Sequence, residues 1–257
     1  MWLVVLKTCW VKTYKLMTRY LFNMLSGFVT LYIVFALLFF GAKSIGGGAM
    51  DLGDTLEGMF VGYLAWMLAM MGSTDLAWNV TNEAQTGTFE QQYLSPVGYG
   101  WIAAFTESFN FIYNVALVFL IAISMAATTG QKIHLHLGST LPVMLTVYLQ
   151  ANGIGFTLAG LALMYKRIQS FFQVVQFLMV GIFFIPWDRF PWARFLPLSA
   201  SQKVLQRVVI DGQKIWEIPA SDLILILAVT VLYLALGVLL FRLAESKARE
   251  KGLLGQY

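Results

Sequence analysis

Three groups of polar residues stand where an otherwise apolar chain could do chemistry. Glu83, Gly87 and Glu90 are four and three apart, so on one helix they share a face, and the glycine between two acids leaves room for another backbone. Two acids on a tight face suit docking onto cationic side chains. The same residues also permit a solvated helix start, with Asn82 as cap and Glu83 in the first turn. The second group is Glu107, Asn110 and Asn114, at steps of three and four, joined by Asp75 and Asn79 near the end of another apolar run. The third is Gln169, Gln173 and Gln176, at steps of four and three. Amides and acids facing lipid are costly, so each of these faces should meet protein or water. Two uses are open: a polar translocation path, or hydrogen bonds between helices, the latter being the reading taken for Asn114.

Catalysis has no foothold. The chain has no phosphate-binding Walker loop, no cluster of zinc ligands and no nucleophile with an evident base. His134 and His136 alternate without a third ligand, which disfavours a metal site and reads as a solvated loop. Cys9 is the single cysteine, so it forms no intramolecular disulfide and is read as a structural thiol. Nothing in the chain hydrolyses ATP, and the expectation is a protein that is not an enzyme and binds no cofactor of its own.

The elements that position these residues follow from composition. Of 257 residues, 59% are hydrophobic and 12% charged, with mean hydropathy +0.72. No water-soluble domain of this size carries that without large exposed apolar patches, so lipid is the solvent. Continuous apolar runs, without the alternation of barrel strands, indicate helices. The expected fold is an all-α membrane protein with six transmembrane helices in a single domain over 1–257. Residues 1–20 carry Lys7, Lys12, Lys15 and Arg19 within one arc of about 140°, opposite Trp2, Leu6 and Trp10, as in an interfacial amphipathic helix. Spans are expected at Leu21–Gly41, Met59–Trp78, Ile102–Thr129, Leu141–Met164, Phe171–Ile185 and Leu223–Phe241, with a first loop holding Gly46, Asp51, Asp54 and Glu57. Lys166 and Arg167 close the fourth span and Pro186 the fifth. Residues 186–221 are amphipathic and rich in Trp and Pro, which breaks them into interface-level helices. Ala151, Gly155 and Ala159 form a small-residue ridge for close packing with another helix.

Six spans put both termini on one side. Ten of the 17 Lys and Arg residues then fall on that side and seven opposite, which favours cytoplasmic termini in a multi-pass protein of the cell membrane. The net charge of +4 is therefore a matter of topology, and no basic cluster suggests nucleic acid. One inner segment disagrees, since residues 79–101 hold Glu83 and Glu90 but no Lys or Arg. An inner loop without positive charge needs another reason to be there.

That segment runs Glu83-Ala-Gln-Thr-Gly87-Thr88-Phe89-Glu90-Gln-Gln-Tyr-Leu94-Ser95-Pro96. It resembles the coupling segment (79–98) of permease subunits of type-2 ATP-binding-cassette (ABC) exporters at Glu83, Gly87, Thr88, Glu90, Leu94, Ser95 and Pro96, with Phe89 where that family usually has Leu. The stretch Tyr165 to Gln173, then Pro186, Pro191-Trp192, Pro197-Leu198 and Arg207, is similar to the same family's fourth-to-fifth span junction and outer re-entrant segment. The resemblance implies a short cytoplasmic coupling helix docked on a separate ATPase subunit, present in two copies, that holds the ATP and Mg. It further implies a second permease copy, identical or different, around a shared path. Cargo is expected to be a hydrophobic drug, lipid or peptide. A polysaccharide exporter of the same family and an ion-coupled carrier or channel are the alternatives, although the latter's repeated halves are not evident.

Overall fold

Helix is the state that satisfies every backbone N–H and C=O within its own segment, which an apolar chain in lipid requires, and all the regular elements of the described residues are helical. The computed structural model describes residues 1–46, 53–130, 134, 136–165, 168–183, 185 and 189–250. Asp51, Lys132, Lys166, Arg167 and Pro186 lie outside them, as do the side chains of Asp54 and Glu90. In chain order the helices are α1 (Trp2–Arg19), α2 (Leu21–Gly46), α3 (Gly53–Gln85), α4 (Thr88–Tyr93), α5 (Tyr99–Thr129), α6 (Leu137–Tyr165), α7 (Gln169–Phe183), α8 (Ser199–Val209) and α9 (Ala220–Glu250). Single 3-10 turns at Pro191–Phe195 and Ile215–Glu217 flank α8.

Helices α2, α3, α5, α6 and α9 are long and apolar enough to cross a membrane, so the chain is a multi-pass membrane protein by length and composition. The expected fifth span, Phe171–Ile185, falls short of the length of the others. Helix α7 has 15 residues, and at 1.5 Å per residue it reaches about 22 Å against a hydrocarbon core of about 30 Å. The first loop is also shorter than its polar residues suggested. Helix α3 begins at Gly53, which places Asp54 and Glu57 within its opening turns, where the helix dipole favours negative charge.

Helix α6 is the centre of the bundle, with α3 on one side and α9 on another. Small residues make both contacts possible. A Cβ on Gly155 would lie 2.8 Å from the Ser73 carbonyl oxygen, and one on Gly72 would lie 2.9 Å from the Tyr148 ring and 3.2 Å from the Ala151 Cβ. The Ala151–Gly155 part of the expected ridge thus faces α3, and Ala159 is buried beside it. On the other flank Gly153 and Gly237 bring α6 and α9 into direct backbone contact, and a Cβ on either would overlap the opposite chain. A Cβ on Gly160 would lie 3.0 Å from that of Ala244. Lipid tails are as apolar as the helices, so this close fit, rather than escape from water, is what holds them together.

The bundle has two distinct ends. At one, Lys12 of α1 pairs with Glu83 of α3, Trp10 donates to Ser108 of α5, Tyr99 stacks on Phe241, and Ala248 joins the Phe89–Tyr99 cluster. Both α1 and the last turns of α9 lie there. At the other end the His134 N–H donates to the Val209 carbonyl, and the Ile215 N–H donates to Ser139 Oγ. His134 is therefore not simply solvated: its ring nitrogen also lies 3.0 Å from the Ile210 carbonyl.

At that second end α8 is drawn in among the long helices, with Ser201, Gln202, Val204, Leu205 and Val208 buried. Gln150 of α6, fully buried, pins it. Its amide nitrogen donates to Ser201 and Thr230, each at 2.8 Å, and its oxygen accepts the Leu198 N–H at 2.6 Å. The last bond holds Leu198 at φ +69°, a left-handed backbone costing about 1 kcal/mol or more for such a residue. Arg207 of α8 closes the arrangement on Asp222 at 2.6 Å.

The glycine contacts yield a direct comparison. Gly237→Ala should lower the thermal unfolding midpoint of the purified protein in detergent, with overpacking worth roughly 1–3 kcal/mol. Gly27→Ala, where an added Cβ meets nothing within 4 Å, should leave it unchanged or raise it slightly. Equal midpoints in the two variants would contradict the α6–α9 contact.

Candidate functional site

Two sites emerge, one on the surface at the end that carries α1 and one inside the bundle. The surface site begins where α3 stops. Beyond Asn79 the helix continues to Gln85, because Ala77, Val80 and Ala84 extend its buried face at steps of three and four. Glu83 is thus in the last turn of α3, not at a helix start, and Asn82 is not a cap. Gly87, at φ +70°, ends the helix, with the Thr86 and Gly87 N–H groups donating to the Asn82 and Ala84 carbonyls. A left-handed glycine just past a helix is the usual stop signal. Its Cβ would meet nothing within 4 Å, so Gly87 serves to turn the chain here. Glu83, Gly87 and Glu90 consequently do not lie on one continuous helix.

Helix α4 follows at once, six residues from Thr88 to Tyr93. Phe89 fixes it: 1% exposed, its ring lies 4.8 Å from that of Tyr99, which in turn stacks at 5.9 Å on Phe241 of α9. After α4 the chain closes through Ser95 and Pro96, with the Gly98 N–H donating to Ser95 and Gly98 at φ +76°. Facing outward are Thr88, Gln91, Pro96 and Leu94, the last 81% exposed. Glu83 has found a cation within this chain, the Lys12 ammonium at 2.7 Å. The pair clips α1 to the end of α3, while Trp2 against Trp101 and Trp10 against Phe109 lay α1 along α5. Cys9 is buried in that contact, and the burial raises its thiol pKa.

The interior site gathers the second group of polar residues. Asn114 of α5 donates to Asp75 of α3 at 2.8 Å, a hydrogen bond between helices as expected of it. Glu107 accepts from Asn110 at 3.1 Å and from the Tyr148 hydroxyl of α6 at 2.8 Å. Glu107, Asn110 and Asn114 are all buried. Neither Asp75 nor Glu107 has an ion-pair partner among the described residues. Glu107 and Tyr148 also form part of the wall of a cavity of about 840 Å³ between α1, α5, α6 and α9.

The third group stands apart. Helix α7 packs on α3, with Trp66 donating to the Gln176 carbonyl and Trp78 edge-on to Phe172. Gln169 and Gln176 are half-buried and Gln173 is exposed. None of the three lines the cavity beside Glu107. Sequence reasoning did not find Tyr148 or Gln150 as participants, and it had Lys12 only in the basic arc of residues 1–20 and Phe89 only as a motif position, without their contacts to Glu83 and Tyr99. Phe89 and Tyr99 carried a local signal, being aromatic residues on either side of a glycine-turned loop, whereas Tyr148 and Gln150 are polar only in the company the fold gives them.

No protein-family model matches the chain, and no curated protein is significantly similar to it.

Cys9, being the only cysteine, reports on the α1 clip. Glu83→Lys should accelerate its reaction with a thiol reagent several-fold, and adding Lys12→Glu should slow it again. In the unaltered protein the rate should keep rising with pH above the range of an ordinary thiol, because burial holds the reactive thiolate back. Measured rates that ignore the charge reversal would show that the pair does not hold α1.

Proposed function

We propose that this chain is the membrane-spanning permease subunit of an ATP-driven, type-2 ABC exporter, coupled to a separate ATPase through α4. The observation that carries the proposal is α4 itself. A six-residue helix is set off by left-handed glycines between two long helices, at the end where α1 and the last turns of α9 lie. Leu94 and Pro96, directly after it, face outward in the stretch with the exporter-like pattern. An exposed leucine beside polar Thr88 and Gln91 suits a protein docking face. The aromatic contacts Phe89–Tyr99–Phe241 would carry a push on α4 into α5 and α9. In this reading that end is cytoplasmic, ATP and Mg belong to two ATPase copies, and the cell membrane is the location.

A second permease copy fits the surfaces left uncovered. Only 11% of the apolar window of α2 is buried, and α7 exposes Phe171, Val174, Phe177 and Leu178. These two faces can be covered by a partner permease or by lipid. The glutamines of α7, two half-covered and one exposed, would then border the path between the copies. The abundance of Phe, Trp and Tyr in the chain fits a hydrophobic drug, lipid or peptide as cargo.

Because Glu83 is engaged by Lys12, the decisive variants are Glu90→Lys and Leu94→Asp. Each should reduce recovery of the ATPase subunit with the purified permease, or cut the complex's ATP turnover by roughly tenfold, as expected when a central contact residue is lost. Full assembly and full turnover in both variants would remove α4 from the coupling role.

A further inference from the structure

The cavity between α1, α5, α6 and α9 is apart from the glutamine face of α7 and has its own chemistry. Its volume, about 840 Å³, is that of a site for a drug-sized molecule. The walls are chiefly apolar and aromatic, including Trp10, Phe111, Tyr148 and Phe156. Two carboxylates belong to them, Glu107 and Glu245, and Glu107 is the buried one. Glu107 is 7% exposed, and both of its described hydrogen bonds are donated to it, by Asn110 and by Tyr148. Such donors suit the ionised form, and a cation beside it is what would stabilise that form among membrane helices; among the described residues Glu107 has no ion-pair partner. Arg242 is on the lining too, accompanied by Glu245 one helical turn on. Asn152, one turn beyond Tyr148, adds an amide whose Oδ1 has no hydrogen-bond partner among the described residues.

We infer that this cavity binds a protonated organic amine with an apolar or aromatic body, the ammonium N–H groups meeting Glu107 and the body filling the space between Phe111 and Phe156. The ammonium supplies Glu107 with the ion-pair partner that no described residue gives it, and a hydrogen-bond donor for the Asn152 Oδ1. The aromatic faces around it add cation–π attraction. An acyl chain of ordinary lipid would fill the volume but leave Glu107 without a counter-ion, which is why the amine is the better occupant. As a cargo site the cavity rests on the exporter reading. As a binding site it does not.

The test therefore uses the purified full-length chain in lipid nanodiscs, without any ATPase. Binding is followed by the fluorescence anisotropy of an aromatic primary amine that is protonated at neutral pH, and of its neutral N-acetyl derivative. The amine should bind roughly tenfold more tightly than the acetylated compound, a ratio within reach of one desolvated charge contact. Glu107→Gln should erase that preference and leave the acetylated compound unaffected. Ala104→Trp, which narrows the cavity from an exposed position on its wall, should weaken both compounds while retaining Glu107 and the folded core. Equal binding of the two compounds to the unaltered protein, or a preference that survives Glu107→Gln, would overturn the proposal and leave an apolar groove for lipid. Amine binding with no effect of any amine on ATP turnover in the full complex would retain the site and count against its use for cargo.

Discussion

The rest of the structure depends on how closely α6 approaches its two neighbours. Backbone meets backbone where Gly153 faces Gly237, and the Gly72–Ser73 stretch of α3 lies on Ala151 and Gly155. In lipid there is no hydrophobic gain from bringing apolar helices together, so dispersion over a tight fit must supply the attraction. Once α3, α6 and α9 are locked, Gln150 is placed among Ser201, Thr230 and the Leu198 amide. Tyr148 is likewise brought to Glu107. Both polar arrangements follow from the packing, since neither could assemble on helices held farther apart.

The same rigidity explains where the protein exposes material for contact. Helix α6 is enclosed between α3 and α9, whereas α2 and α7 cover little of themselves within this chain. A body with a locked core and loosely covered flanks is suited to assembly within a membrane. At one end α1 lies against α5 and is clipped by Lys12 to Glu83, so the interfacial helix and the end of α3 act as one surface. Helix α4 hangs from that surface by Phe89, with glycines on either side. A small helix whose buried anchor is Phe89 can tilt without disturbing the core, which suits the coupling role proposed for it.

Much of the architecture was legible in the sequence because lipid imposes simple rules. Apolar runs gave the long helices, the basic arc of Lys7 to Arg19 gave α1, and the Ala151–Gly155 spacing gave a packing ridge. Where the reading went astray, competing local rules were the reason. The step from Glu83 to Gly87 to Glu90 fits a helical face, but Gly87 ends a helix as readily as it opens space on one. The buried positions Ala77, Val80 and Ala84 already showed α3 running past Asn79. Helix α7 is apolar at the right place but too short to cross on its own length. Gln150 could not have been singled out, because its partners are 48 to 80 residues away and meet it only in the folded bundle.

The proposed coupling role makes α4 the place where an ATPase engages this chain. The most direct measurement is site-specific photo-crosslinking in intact membranes, with a benzophenone amino acid in place of exposed Leu94 at one end of the bundle, or of exposed Trp192 in the segment leading to α8. The account predicts that the probe at 94 captures an ATP-binding subunit, identified by mass spectrometry, and that the probe at 192 does not. Absence of an ATPase adduct at 94, or equal capture from 192, would contradict it.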